Sequence, residues 1–228
     1  MKSHLPDLRK NDGEIALTDE RLKGFINSLY KGNTDFLDEL EKKAIETGVP
    51  IIRKDTQAFL RFIIGLHDPK EILEIGAATG FSSILMAQYS SDETKITTIE
   101  KYDKRIPVAL ENIRESGFSD KIELITEDAA EVLPSIQKNF DMIFIDAAKA
   151  QYPFYLEEAG HLLRHKGLIV ADNCLQGGDI LESKFAVERR NRTIHKRMRG
   201  FLKEITSSDE YISAVLPIGD GVTVAYKQ

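Results

Sequence analysis

The chain has 228 residues, is 42% hydrophobic and 30% charged, and carries a net charge of −6 with a pI of about 5.5. That balance excludes a general attraction to nucleic acid or anionic membrane and leaves only local basic patches open, and no apolar run approaches the ~20 residues of a membrane-spanning helix. A single cysteine, Cys174, rules out an intrachain disulfide framework, and the leading MKSHLPDLRKNDGE has no apolar stretch, so a cytoplasmic protein is expected.

The first ten or so residues are polar and expected to be loose. Thr18-Asp19-Glu20-Arg21 reads as a helix start, with Leu22, Phe25, Ile26 and Leu29 following at helical spacing. A second helix is expected from Thr34 to Glu46, with Phe36, Leu37, Leu40 and Ala44 on one face and Gly48 as its stop. A third runs from about Asp55 to Leu66 and carries Phe59, Leu60, Phe62 and Ile63. Beyond it, β-rich runs at 71–76, 95–100, 121–126, 140–146 and 167–173 alternate with helical patterns at about 80–90, 102–116, 129–137 and 152–164. Such alternation specifies a parallel sheet with helices on both faces. The tail, YISAVLPIGDGVTVAYK (211–227), reads as two strands around Gly219-Asp220-Gly221. One α/β domain with a seven-stranded, mostly parallel sheet and an antiparallel C-terminal hairpin is expected. Residues 1–67 would be its helical cap and 68–228 its core.

Chemistry-bearing residues fall at the ends of these strands. EIGAATGFSS (74–83) follows the first strand and opens a helix, with glycines at 76 and 80 that let backbone approach a ligand. The spacing is neither that of a phosphate loop nor that of a dinucleotide fingerprint. Glu100 ends the second strand, where a carboxylate would reach ribose hydroxyls, and Asp128-Ala129 follow the third. A nucleoside-type ligand without a bound phosphate fits this set. In FIDAAKAQY (144–152) Asp146 ends the fourth strand, and Asp172-Asn173 end the fifth. For a single strand a solvated turn would account for the acid. Two carboxylates and an amide oxygen at the ends of adjacent strands would repel one another without a cation, and match a hard divalent ion such as Mg²⁺ or Mn²⁺.

The glycine loop, the acid of TTIEK and the EDAA turn resemble the cofactor segments of class I S-adenosylmethionine (SAM)-dependent methyltransferases, a Rossmann-like fold. Adding Phe-Ile-Asp-Ala-x-Lys-x-x-Tyr and Asp-Asn, the whole chain resembles the cation-dependent O-methyltransferases of the catechol and caffeoyl-coenzyme A type. The resemblance implies that Glu74, Gly76, Gly80, Ser82, Glu100, Asp128, Ala129 and Asp146 bind cofactor. It makes Asp146, Asp172 and Asn173 metal ligands and Lys149 the catalytic base. A homodimer is a further implication. A lysine beside a dication has its charged form disfavoured, as a base requires.

VERRNRTIHKRMRGFLKEI (187–205) is an amphipathic helix pattern. Arg189, Arg192, Lys196, Arg199 and Lys203 form a basic stripe flanked by Arg190 and Arg197, and Ile194, Met198, Phe201 or Leu202, and Ile205 form an apolar one. Charge of one sign gains nothing from helical ion pairs, so a phosphate-bearing substrate would supply the counter-charge. This segment resembles the bacterial branch of the family that methylates O5 of 5-hydroxyuridine at the wobble position of tRNA. That implies a tRNA anticodon loop as partner, with Arg189, Arg190, Arg192, Lys196, Arg197 and Arg199 as its contacts. The alternative is a small phenolic or coenzyme A-linked substrate. A non-catalytic binding module would not need a base beside a metal, and a dinucleotide oxidoreductase would need a third glycine.

Overall fold

The computed structural model describes residues 20–183 and 185–228, so the expected helix start at Thr18-Asp19 and the polar leader lie outside the described residues. The chain divides into two compact units, 1–31 and 32–228. The described part of the first holds α1 (Glu20–Leu29). The second holds every other element.

In that second unit, α2 (Asp35–Thr47) is capped by the Thr34 hydroxyl, which accepts from the Leu37 amide, and ends on a left-handed Gly48. α3 (Lys54–His67) follows, then β1 (Glu71–Ile75), α4 (Phe81–Tyr89), β2 (Lys95–Ile99), α5 (Ile106–Glu115) and β3 (Ile122–Ile125). Next come α6 (Ala129–Val132), β4 (Phe140–Ile145), α7 (Tyr152–Leu162), β5 (Leu163–Ala171), α8 (Arg192–Ser207), β6 (Tyr211–Leu216) and β7 (Val222–Lys227). The strand order is β3-β2-β1-β4-β5-β7-β6. β1 to β5 run parallel, β7 runs antiparallel to β5, and β6 antiparallel to β7. The expected seven-stranded sheet with its closing hairpin is the observed one.

Alternation along the central strands separates two buried layers. Ile72, Met142, Phe144 and Val170 meet Leu37, Leu40, Leu60, Ile64 and the apolar side of α4. Leu73, Ile143, Ile145 and Ile169 meet Leu156, Ala159, Met198 and Phe201 on the other face. α2 and α3 therefore share a core with the sheet, and the change of texture near residue 67 marks no separate body. Of the apolar residues that α3 carries, Leu60, Ile63 and Ile64 are buried, and Phe62 is 63% exposed.

Two boundaries differ from the sequence pattern for local reasons. The helix expected over 129–137 stops at Val132 and tightens into a 3-10 turn at Leu133–Ser135, where Pro134 has no N–H to continue it. β5 begins at Leu163, because its pairing with β4 steps from Phe140–Leu163 to Met142–Leu168 across an irregularity that includes Lys166 at φ 65°. That step leaves the carboxyl ends in line. Glu100 N bonds Ile125 O, Asp146 N bonds Ile75 O, and Asp172 N bonds Ile145 O, at 3.0, 3.0 and 2.9 Å. These three acids are each the first residue past their strand, on one edge of the sheet.

Candidate active site

A cleft of about 790 Å³ lies along that edge. Gly76, Glu100, Asp128, Ala129, Asp146, Lys149, Asp172 and Asn173 all line it, so the structure brings together most of the residues the sequence singles out for cofactor, metal and catalysis. Glu100 is aimed by the backbone: Ala78 N donates to Oε2 at 2.8 Å, and Lys101 N and Tyr102 N donate to Oε1 at 2.9 Å each. Oε2, with a single donor, keeps acceptor capacity for a ligand hydroxyl. Asp128 caps α6 by accepting from Ala130 N and pairs with Lys101 Nζ at 2.7 Å. That lysine first, then the amide, holds its carboxyl below the usual range.

Gly76 has φ +102°, and a Cβ there would overlap the carbonyl oxygen of Asp146. The glycine loop is thus pressed against the end of β4, and Gly76 is needed for that approach as well as for the turn.

Three residues of the expected cofactor set stand elsewhere. Glu74 is fully buried within β1, takes a 2.5 Å bond from Thr98 Oγ1, and leaves Oε1 without a partner. Burial pushes its carboxyl up to about 7, against the pull of the Ser82 hydroxyl. Ser82 is itself buried in the first turn of α4, and Gly80 is the left-handed residue that starts that helix. Glu74, Gly80 and Ser82 form the floor beneath the loop and do not line the cleft. Glu74 is a fully buried residue inside β1, whereas Gly76 stands past the strand's end, where the cleft opens.

Asp146, half-buried, and Asp172, buried, form an acidic pair at neighbouring strand ends. Burial first, then the charge of Asp146, pushes Asp172 up to about 7. Burial likewise raises Asp146, while Lys149 and Arg105 draw it back. Asn173 holds φ +55°, a conformation an asparagine tolerates better than most side chains. Its kink is fixed by the turn after β6, where Gly221 O and Asp220 O accept from Cys174 N and Leu175 N at 2.8 and 2.9 Å. Two carboxylates at neighbouring strand ends, Asp172 buried and raised in part by the charge of Asp146, with an amide oxygen beside them, suit a hard divalent cation. Among the described residues no group of three or more His, Cys, Asp and Glu side chains forms a metal cluster. Cys174 is buried, its thiol pushed up to about 12 by burial, and it serves as packing.

The sequence pattern missed other residues on the cleft: Arg53, Tyr102, Arg105, Tyr155 and Asp220. Asp220 reads in sequence as turn chemistry. It pairs with Arg53 at 2.9 Å across the cleft mouth, a contact between residues far apart in the chain that no local signal announces. A smaller cavity, bordered by Lys149, Gln176, Asp179, Asn191, Ile194 and Asp220, adjoins the lysine.

The basic segment is largely spoken for. Arg192 donates to the Val187 and Phe185 carbonyls at 3.1 and 3.3 Å, and Arg199 to the Ile180 carbonyl at 2.9 Å. Buried His195 lies 3.1 Å from the Glu182 carbonyl. Arg197 donates to the Ala150 carbonyl, and Arg190 pairs with Glu188, each at 2.7 Å. The expected tRNA contacts Arg192, Arg197 and Arg199 are therefore engaged in bracing the 180–187 segment and the Lys149 turn. Arg189, Lys196 and Lys203 stand exposed.

A sequence profile of the O-methyltransferase family matches residues 27–228, and the chain belongs to that family. It is 35% identical over 160 residues to a catechol O-methyltransferase of Mycobacterium tuberculosis, covering 69% of this chain and 73% of the relative. It is 30% identical over 220 residues to the caffeoyl-CoA O-methyltransferase of Stellaria longipes, covering 91% and 90%. The SAH-bound methyltransferase PaMTH1 of Podospora anserina shares the fold at a TM-score of 0.84 and 23% identity, over 96% of this chain and 100% of that one.

Proposed function

We propose that the protein transfers a methyl group from SAM to one of two vicinal oxygens on its acceptor, with a divalent cation, Mg²⁺ or Mn²⁺, held at Asp146, Asp172 and Asn173. The observation that carries this is the Asp146–Asp172 pair with Lys149 on the same cleft as Gly76, Glu100 and Asp128. When bound, the cofactor supplies an electrophilic methyl group, and the cation supplies positive charge beside the acceptor oxygens. The rest is the work of this chain. Glu100 receives the ribose hydroxyls, and Asp128 and Ala129 flank the base. Gly76 keeps the loop against Asp146, so the cofactor end and the acceptor end of the cleft are fixed relative to each other. Displacement at a methyl carbon depends on line-up, and positioning is therefore a large part of the rate. Lys149 takes the acceptor hydroxyl proton onto Nζ.

For the acceptor we retain O5 of 5-hydroxyuridine at the wobble position of tRNA, whose O5 and O4 are vicinal. The exposed Arg189, Lys196 and Lys203 of the basic segment support it, and a wobble base in a single-stranded loop can be splayed out for contact. A small catechol-like or coenzyme A-linked phenol is the second reading. It is favoured by the named relatives and by the internal engagement of Arg192, Arg197 and Arg199.

The deciding experiment supplies purified protein, Mg²⁺ and methyl-labelled SAM with tRNA bearing 5-hydroxyuridine, tRNA lacking it, or catechol. Label in the first alone supports the tRNA acceptor, and label in catechol alone replaces it with a phenol. Label in none contradicts both.

A further inference from the structure

α8 grips the turn that carries Lys149 at two points one helical turn apart. Lys149–Gln151 is a short 3-10 turn that runs directly into Tyr152. Tyr152 is fully buried, and its hydroxyl donates to Asp172 O at 2.8 Å, with Ile145 O at 3.3 Å. Its ring meets Phe201 edge-on, centroids 5.3 Å apart at 83°. Four residues earlier on α8, Arg197 reaches over the outside of the turn and donates to Ala150 O at 2.7 Å. The turn is held inside through Tyr152 and outside through Arg197, and Lys149 is its first residue. The donor is cationic, which makes this bond stronger than a neutral one at the same exposure.

We propose that Arg197 is a positioning residue for Lys149: its guanidinium fixes the carbonyl next to the lysine and so sets where Nζ meets the acceptor hydroxyl. This rests on Lys149 being the base. It gives Arg197 a purpose that does not depend on the acceptor carrying phosphate. A misplacement of about 1 Å can cost up to a hundredfold in rate, and loss of one tether to a turn still held by Tyr152 should cost part of that.

The test uses Arg197→Ala, Arg197→Lys and Lys149→Ala in the full-length, Mg²⁺-supplied enzyme, with the acceptor that the unaltered protein methylates. Arg197→Ala should lower kcat about tenfold, with SAM affinity and melting temperature unchanged, and Arg197→Lys should recover most of the rate. With a tRNA acceptor, the salt dependence of binding should stay as in the parent. An unchanged kcat overturns the proposal. So does a loss confined to KM for tRNA with a salt slope shallower by about one, the mark of a phosphate contact. A parallel fall in melting temperature and SAM affinity also overturns it, since that is a general structural role. Lys149→Ala at the parent rate removes the base reading itself. A slow Lys149→Ala beside a fully active Arg197→Ala removes this inference alone.

Discussion

At Gly76 two requirements meet in one residue: a φ of +102° and a carbonyl oxygen where a side chain would begin. Gly76→Ala should cost at least about 2 kcal/mol of stability, read as a melting temperature lower by several degrees, at roughly 2–4 °C per kcal/mol for a chain of this size. An unchanged melting temperature would contradict the close approach of the loop to Asp146. Glu74 makes a pH-dependent prediction. Its carboxyl is raised from 4.5 to about 7 in the folded chain, so the folded state holds a proton the unfolded state has released. The stability that protonated Glu74 contributes is complete below about pH 4.5 and is lost as pH rises through about 7. Glu74→Gln should therefore be more stable than the parent at about pH 8, by on the order of 3 kcal/mol, and no more stable near pH 4.5. Denaturant unfolding at the two pH values measures this, and equal differences at both would rule it out. Glu100, Asp146, Asp172 and Asn173 were legible in the sequence because each follows an apolar run, and the ends of parallel strands share an edge. Glu74, expected in the same set, is buried within β1 and does not line the cleft, since the motif gives nearness in the chain and not exposure at the strand's end.

Among the elements, α8 departs furthest from its sequence pattern. The periodicity of 192–205 correctly separates a buried face of Met198, Phe201 and Ile205 from a basic one. It gives no sign that the basic face would be met by protein carbonyls, since those carbonyls come from 150 and 180–187 and carry no side-chain signature. The short length of α6 was legible in principle, because Pro134 stands inside the expected helix. The early start of β5 was not, because it rests on an irregular pairing with β4. Tyr152 is the joint between α7 and the ends of β4 and β5. Tyr152→Phe removes the close donor to the Asp172 carbonyl and should cost about 1–2 kcal/mol, seen as a lower denaturation midpoint. It should also weaken Mg²⁺ binding measured by calorimetry, because the strand end that presents Asp172 and Asn173 is loosened. A variant with parent stability and parent Mg²⁺ affinity would show that the hydroxyl does not anchor that end.

For the molecule as a whole, alternating strands and helices were enough to specify the sheet, its hairpin and the edge that bears the site, since burial on both faces forces continuous apolar strands. What local pattern could not supply was contact between distant segments, of which the Arg53–Asp220 pair over the cleft is the plainest case. The charge balance is consistent across scales: an acidic chain, an acidic pair at the ends of β4 and β5, and a basic helix whose Arg192, Arg197 and Arg199 meet backbone carbonyls. The central claim is that the acidic pair exists to hold a divalent ion for methyl transfer. The most direct measurement follows label from SAM to acceptor with protein stripped by EDTA, then with Mg²⁺ returned, alongside Asp172→Ala. Transfer should vanish on chelation and return with Mg²⁺, and Asp172→Ala should stay slower by about a hundredfold or more at every Mg²⁺ concentration while still binding SAM. Full transfer in EDTA, or an Asp172→Ala enzyme as fast as the parent, would contradict it.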